Sequence, residues 1–472
     1  MIKKLEINGF RGFGKKQCIK FAQPNSKSGG GLTFVVGANN SGKTTLLEGL
    51  RFFNLISNKS PSMSERKRNI KAGSHVEIKL VDGINNTYRI ETNKNGGSET
   101  NTYINNQIID DNQRYKYKNN HPKIFILQSR RAIDYEFQRL NINREDYLSQ
   151  EHSQWNNRSY VLSLFNARLF NMQKNKDEFN PLLKKILGHD LDWYIEQNEN
   201  GTYYLKLVIN GSAHSSEGLG DGIWGVFTLC DALYDSKEGS VIAIDEPELS
   251  LNPAYQKRVM EVIKEYSKNR QIIISTHSPY FIDWESIING AELIRTKKND
   301  DGDIEIFRLS DESKDNLKGF IKDYHQPHTL GLEAKEVFFL EDNIILVEGQ
   351  EDAIAYPKIA EQINMSLEGE IFGWGVGGAP KMEYIIKILQ DLGYKKVCVI
   401  LDGDRKEDKG DLGEKFPEYS FFTIPTDDVR DKGDSNKSNF KEGIVNSRFE
   451  LKKEYEEIMK SLIEDINNRF AK

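Results

Sequence analysis

Three groups of residues in this chain have the types and spacing to do chemistry. The first is Gly37-Ala38-Asn39-Asn40-Ser41-Gly42-Lys43-Thr44, followed by Thr45. Its spacing, G-x-x-x-x-G-K-[ST], is that of a phosphate-binding loop. Glycines let the backbone wrap a triphosphate, and the free N–H groups of a helix start point at it. Lys43 would reach the β- and γ-phosphates, and the Thr44 hydroxyl would sit on Mg²⁺. The second group is Asp245-Glu246. Asp245 would hold that Mg²⁺ through water, and Glu246 would polarise the attacking water of an ATP hydrolysis. The third is Glu348 and Asp352 with Asp402 and Asp404. Carboxylates converging on one point repel one another unless divalent cations bridge them, and two metals can clamp an in-line phosphoryl displacement. Oxygen ligands of this kind favour Mg²⁺ or Mn²⁺.

These residues need elements to hold them. Leu32 to Val36 is an apolar run that reads as a buried strand into the phosphate loop, and Leu46, Leu47, Leu50 and Phe53 at helical spacing read as the helix out of it. Val241 to Ile244 and Ile272 to Ile274 are further buried strands, ending at Asp245 and just before His277. Later, Asn343 to Val347 is a strand ending in Glu348-Gly349-Gln350-Glu351-Asp352. A helix, the strand Glu370 to Phe372, the turn Gly375-Val376-Gly377-Gly378 and a helix from Pro380 to Leu392 follow. Lys396 to Leu401 then ends in Asp402-Gly403-Asp404. This β-α-β-α-β order implies a small parallel sheet with carboxylates at the C-terminal ends of its strands.

The rest of the chain fills in around these units. Residues 2–21 read as a hairpin, and 76–109 as antiparallel strands separated by Asp-Gly, Asn-Asn and Gly-Gly turns. The loop 59–71 is basic, a contact for a phosphate backbone or a solvated face. Ile124 to Leu127 is a short strand ending at Gln128. Helices are expected over Tyr160 to Met172 and from Asn180-Pro181 to Leu187, and Asn200-Gly201 marks a hairpin. Ser215 to Gly222 is Gly-rich and precedes an apolar helix, Ile223 to Leu233. Glu292 to Arg308 reads as a hairpin, and Lys441 to Lys472 as a charged helix with Leu451, Tyr455, Ile458, Leu462 and Ile466 on one face. The expected domains are a head over 1–297 with an insert at 135–205, a linker over 298–341, an α/β unit over 342–430 and a helical tail over 431–472.

Composition bounds the function. The chain has 472 residues, enough for two or three domains, with 38% hydrophobic and 29% charged residues. A net charge of −6 leaves any nucleic-acid contact to local basic patches. Cys18, Cys230 and Cys398 form no C-x-x-C pair, which argues against disulfides and zinc and for a reducing cytosol. No apolar run approaches the ~18 residues of a membrane span, and the N-terminus reads as a strand rather than a signal peptide, so a cytoplasmic protein without membrane contact is expected.

The run Asn8-Gly9-Phe10-Arg11-Gly12-Phe13 resembles the opening of ABC-type ATPases related to chromosome-maintenance and recombination-repair proteins. That resemblance implies that Arg11 approaches the nucleotide, that Gln128 contacts metal or water, and that His277 is a switch residue sensing the γ-phosphate. It also implies that Ser216, Gly218 and Gly220 form a signature loop facing the nucleotide of an opposite subunit, and that the 135–205 insert is a dimerisation arm. Ser250 and Asn252 stand where related proteins carry histidines, so their role is open. The strand-end Glu348 with the D-x-D pair Asp402 and Asp404 resembles a Toprim domain. Nucleases with this domain carry a later acid and a lysine, matched by Asp428 or Asp431 and by Lys432. An ABC-type head followed by Toprim in one α/β chain resembles the OLD (overcoming lysogenization defect) family, over all but the insert and the tail. The resemblance implies an ATP-regulated, metal-dependent DNA endonuclease working as a homodimer or higher homo-oligomer in anti-phage defence. Its expected partner is a retron reverse transcriptase with its DNA–RNA hybrid, or a helicase as in Gabija systems. Two rivals stay open: a non-catalytic SMC-like clamp driven by ATP, and a Toprim primase or RNA-processing enzyme.

Overall fold

Leu32–Val36, Val241–Asp245 and Gln271–Ser275 are strands buried along their whole length. Strands without an exposed face need cover on both sides, which a parallel sheet between layers supplies. They form the middle of a six-stranded sheet in the order Ile304–Arg308, Glu292–Lys298, Leu32–Val36, Gln271–Ser275, Val241–Asp245, Ile124–Leu127. Every pairing from Glu292–Lys298 to Ile124–Leu127 is parallel. The computed structural model describes the chain except for residues 55–60, 94–97, 111–112, 114–122, 130–135, 151–157, 210, 216–219, 323–330, 340–341, 434–439 and 472. It divides into two compact units, Met1–Ile306 and Phe307–Lys472.

A second six-stranded sheet in the first unit is antiparallel, in the order Gln17–Lys20, Ile2–Asn8, Glu77–Asp82, Thr87–Thr92, Thr100–Ile104, Gln107–Ile108. Burial alternates strictly along Thr87–Thr92, the mark of a sheet with one face on the core. Asn105 and Asn106 both have positive φ (49° and 66°), the I′ turn geometry that matches strand twist. The helix Lys43–Asn54 shares one core with both sheets: Leu46, Leu47, Leu50, Phe52 and Phe53 are buried with Leu5, Ile7, Ile78 and Leu80 from one sheet and Val35, Ala243 and Ile273 from the other. Each such side chain contributes roughly 1.5–3 kcal/mol of burial, so the start of this helix, where the phosphate loop ends, is held firmly.

The insert packs on the head through helices Arg158–Lys174 and Lys176–Leu187 and a three-stranded antiparallel sheet, Ser212–Ser215, Tyr203–Ile209, Asp192–Gln197. The second helix begins before Asn180-Pro181, with Pro181 in its interior. The buried face of Phe179, Leu182, Leu183 and Ile186 holds the turn against the proline's missing N–H. Arg168 is fully buried; its guanidinium donates to Asp231 at 2.9 and 2.7 Å and to Asp235 at 2.7 Å, on and just after the helix Asp221–Tyr234.

The second unit centres on a parallel four-stranded sheet, Glu370–Ile371, Ile344–Leu346, Val397–Leu401, Ser420–Thr423. The expected continuous tail helix is corrected. Gly443–Val445 is a strand beside Asp428–Arg430, and the α-helix covers only Glu456–Ala471. A left-handed Phe449 (φ 61°) cannot sit in a helix interior, and Gly443 favours a helix less than other residues do. The buried face is Met459, Leu462, Ile463, Ile466 and Phe470, while Ile458 is 48% exposed. Among the described residues no helix is long and apolar enough to cross a membrane.

Candidate functional site

The first site is built where the strand Leu32–Val36 meets the helix Lys43–Asn54. Gly37 has φ 141°, and a Cβ there would lie 2.2 Å from the Thr296 carbonyl. Gly42 has φ 104°, and a Cβ there would strike Ile304 at 2.3 Å. Both glycines are therefore demanded by conformation and by close neighbours. The loop borders an open cleft of ≈ 670 Å³ lined by Arg11, Asn39 to Thr45, Glu246, His277 and Lys298. Lys43 folds over its own loop, donating to the carbonyls of Gly37 (2.9 Å) and Ala38 (3.0 Å). Burial pulls its ammonium down to about 8, against the attraction of Glu246, Asp245 and Glu248. A triphosphate in the cleft would supply the negative charge this ammonium lacks.

The acidic strand end sits opposite. Asp245 accepts from Thr44 Oγ1 at 3.2 Å and from the Ser275 hydroxyl. The two residues that would share one Mg²⁺ thus already face each other. Glu246 has φ 48°, and its N–H donates to the Ser275 carbonyl at 2.8 Å. This turns its carboxylate to 3.7 Å from His277 Nε2. Burial, then the Lys43 charge, hold His277 below its ordinary value, which favours its neutral form. Arg11 lines the cleft while paired to Glu48 at 2.9 Å. Gln128 follows the strand whose Leu127 pairs with Ile244, one step from Asp245 in register. Gly220 caps the helix Asp221–Tyr234, whereas Ser216 and Gly218 lie outside the described residues. Asn252 caps the helix Pro253–Tyr266, accepting from Tyr255 N at 2.9 Å.

The second site lies at strand ends of the second unit. Glu348 Oε1 accepts from the Asp402 N–H at 3.0 Å, joining two strand ends. The Glu348 carbonyl accepts from Gly377 and Gly378 at 3.0 and 2.8 Å. Gly375 must be glycine, with φ 86° and a Cβ position 2.6 Å from Gly349 Cα. Asp352, in the first turn of the helix Gln350–Gln362, accepts from Gly349 N at 2.8 Å. Burial, then Glu348 and Asp428, push Asp352 up to about 7. Burial, then Asp352, Glu348, Asp428 and Asp404, push Asp402 up to about 8. Burial likewise raises Glu348. Asp404 is half-exposed, 3.5 Å from Arg405 Nε.

The structure separates the two late acids that the sequence left as alternatives. Asp428 is buried, faces Asp352 and Asp402 electrostatically, and pairs with Lys432 at 2.6 Å. Asp431 turns away, accepting from Gly443 N and Lys452 Nζ, both at 2.8 Å. The acids suit a divalent cation in donor type, because only positive charge would relieve carboxylates raised by burial and by one another. In this arrangement, among the described residues, no set of three His, Cys, Asp or Glu side chains could grip a metal ion. Sequence reasoning missed Glu248, Lys298 and Glu351. Glu248 accepts from His277 N at 2.6 Å and from Thr276 Oγ1 at 2.9 Å. Its signal was its place two residues after Glu246. Lys298 carried none, being the last residue of an ordinary strand. Glu351 pairs with Lys432 at 3.0 Å and with Arg430.

Residues 32–283 match the family described as "AAA domain, putative AbiEii toxin, Type IV TA system", and residues 339–404 match "Overcoming lysogenization defect protein-like, TOPRIM domain". The OLD nuclease of Thermus scotoductus is 28% identical over 179 residues, covering 37% of this chain and 33% of that protein. The Old nuclease of Escherichia phage P2 is 30% identical over 129 residues, covering 27% of this chain and 21% of that protein. These matches span a third or less of the curated relatives' length. Among solved structures, the SMC head domain from Thermotoga maritima aligns with a TM-score of 0.42 at 16% identity, covering 66% of this chain and 99% of that one.

Proposed function

The chain belongs to the OLD family of ATPase–Toprim proteins, and from that premise we propose that it is an ATP-regulated, divalent-metal-dependent DNA endonuclease. One observation carries the reading: the two acidic centres stand on two separate compact units, each at the C-terminal ends of parallel strands. In the head, the phosphate loop with Lys43 and Thr44 binds Mg²⁺·ATP, Asp245 holds the metal side, Glu246 takes the proton from water, and His277 reports the γ-phosphate. Arg11 and Lys298 add positive charge to the cleft. Gln128 and a signature loop that includes Ser216, Gly218 and Gly220 complete the site, the loop acting across a homodimer.

In the second unit Glu348, Asp402 and Asp404, backed by Asp352 and Asp428, would hold Mg²⁺ or Mn²⁺, which when bound supplies charge neutralisation and an activated water. Lys432 compensates Asp428 and Glu351. Hydrolysis of a phosphodiester is downhill, so ATP acts as a gate that shifts conformations rather than as fuel. The substrate is DNA, and the setting is anti-phage defence in the cytoplasm beside a retron reverse transcriptase with its DNA–RNA hybrid, or a helicase. The rival reading is an SMC-like clamp that turns over ATP without cutting.

A paired assay of ATP turnover and plasmid nicking in Mg²⁺ and Mn²⁺ separates the two. Asp402→Ala and Asp404→Ala should remove nicking and leave turnover intact. Wild-type protein that turns over ATP but never nicks DNA would put the clamp ahead, and Asp402→Ala that nicks like wild type would remove the acids of the second unit from the cutting role.

A further inference from the structure

Glu248 lies outside the groups that touch nucleotide in the reading above, yet its carboxylate is fully engaged. Oε1 accepts from the His277 N–H at 2.6 Å and Oε2 from Thr276 Oγ1 at 2.9 Å. The Thr276 hydroxyl in turn accepts from Ser278 N at 3.0 Å, and Ser278 Oγ donates to Gln256 Oε1 at 2.6 Å. Gln256 Nε2 donates to the Leu251 carbonyl at 2.8 Å, and the Leu251 N–H returns to the Glu248 carbonyl at 2.9 Å. The bonds close into a ring. It joins the turn after the strand Val241–Asp245, the turn after Gln271–Ser275 and the first turn of the helix Pro253–Tyr266. A second backbone tie, Glu246 N to the Ser275 carbonyl at 2.8 Å, runs beside it.

We propose that Glu248 is a positioning residue for ATP hydrolysis: by gripping the His277 backbone it fixes the spacing of His277 and Glu246, and through Gln256 it ties that spacing to the loop 249–252. The inference rests on the reading of the head as an ATPase. Joined only through the sheet and the Glu246 N to Ser275 carbonyl tie, the two turns would let His277 drift relative to the Glu246 carboxylate. A bidentate carboxylate across both turns removes that freedom, and misplacement by about 1 Å can cost a catalytic group roughly 100-fold. What the site needs here is a planar side-chain group that hydrogen-bonds both His277 N–H and Thr276 Oγ1. The negative charge of Glu248 is a liability in a buried position and beside Glu246, both of which raise its affinity for a proton.

The test is steady-state ATP turnover by the full chain together with binding of a fluorescent ATP analogue. Glu248→Ala should lower kcat roughly 10- to 100-fold with analogue affinity within about threefold of wild type. Glu248→Gln should recover most of the turnover, because its oxygen still accepts from His277 N–H and its amide can donate to the Thr276 oxygen. Thr276→Val, which keeps the volume and loses one ring bond, should lower kcat by about 5-fold. It gives the answer if Glu248→Ala does not fold. Wild-type kcat in Glu248→Ala, or in Thr276→Val where the first variant fails, overturns the proposal. Glu248→Gln as inactive as Glu248→Ala also overturns it, because the charge and not the positioning would then matter. Failure of the ATPase reading looks different: Lys43→Ala would then bind and hydrolyse ATP like wild type.

Discussion

Protons and divalent cations should compete for the acidic centre of the second unit, and the competition has a size. Asp402 is pushed up to about 8 and Asp352 to about 7 by burial and by neighbouring carboxylates. A carboxylate must release its proton before it takes a metal ion. At pH 6 only about one Asp402 in a hundred is ionised, against about half at pH 8, so Mn²⁺ affinity should rise ~50-fold over that range from this group alone. Asp352 adds up to ~10-fold if it also ligates. The measurement is Mn²⁺ binding by electron paramagnetic resonance at pH 6, 7 and 8, without nucleotide, on wild type and Asp402→Asn. Stability carries the same protons with a definite sign. Both groups bind protons more tightly folded than unfolded, so their contribution is complete below the unfolded value of 3.8 and is lost as pH rises through about 7 and about 8. The metal-free second unit should therefore weaken between pH 4 and 8, and Mn²⁺ should restore it at pH 8. Affinity that changes less than about threefold from pH 6 to 8, or the same slope in Asp402→Asn, would refute the reasoning.

Two further outcomes follow from the first unit. Glu246→Gln should bind ATP, stall hydrolysis and accumulate as a dimer in light scattering, since Gln cannot take a proton from water; wild-type turnover would remove Glu246 from its role. Arg168→Ala should cost about 3–5 kcal/mol in denaturant unfolding, because Asp231 would be left as a buried charge without its guanidinium; a loss below about 1 kcal/mol would mean the pair is worth no more than a surface one.

Local pattern determined a large part of this protein. The runs Leu32–Val36, Val241–Asp245, Gln271–Ser275 and Val397–Leu401 are legible because a strand buried on both faces must be apolar throughout. The residues that end such strands are legible because polar chemistry starts where the apolar run stops. Phosphate-loop spacing is legible because one turn of backbone makes the cradle. The tertiary structure decided what depends on contacts far apart in the chain. Asp428 rather than Asp431 joins the acids because Asp428–Arg430 pairs with Gly443–Val445 and orients alternate residues to opposite sides. Gly42 and Gly12 are held small by Ile304, more than 250 residues away in sequence. Glu248 matters through His277 and Gln256, partners that no spacing rule connects. Periodicity and motif spacing report only what neighbours along the chain require, whereas these residues are chosen by neighbours in space.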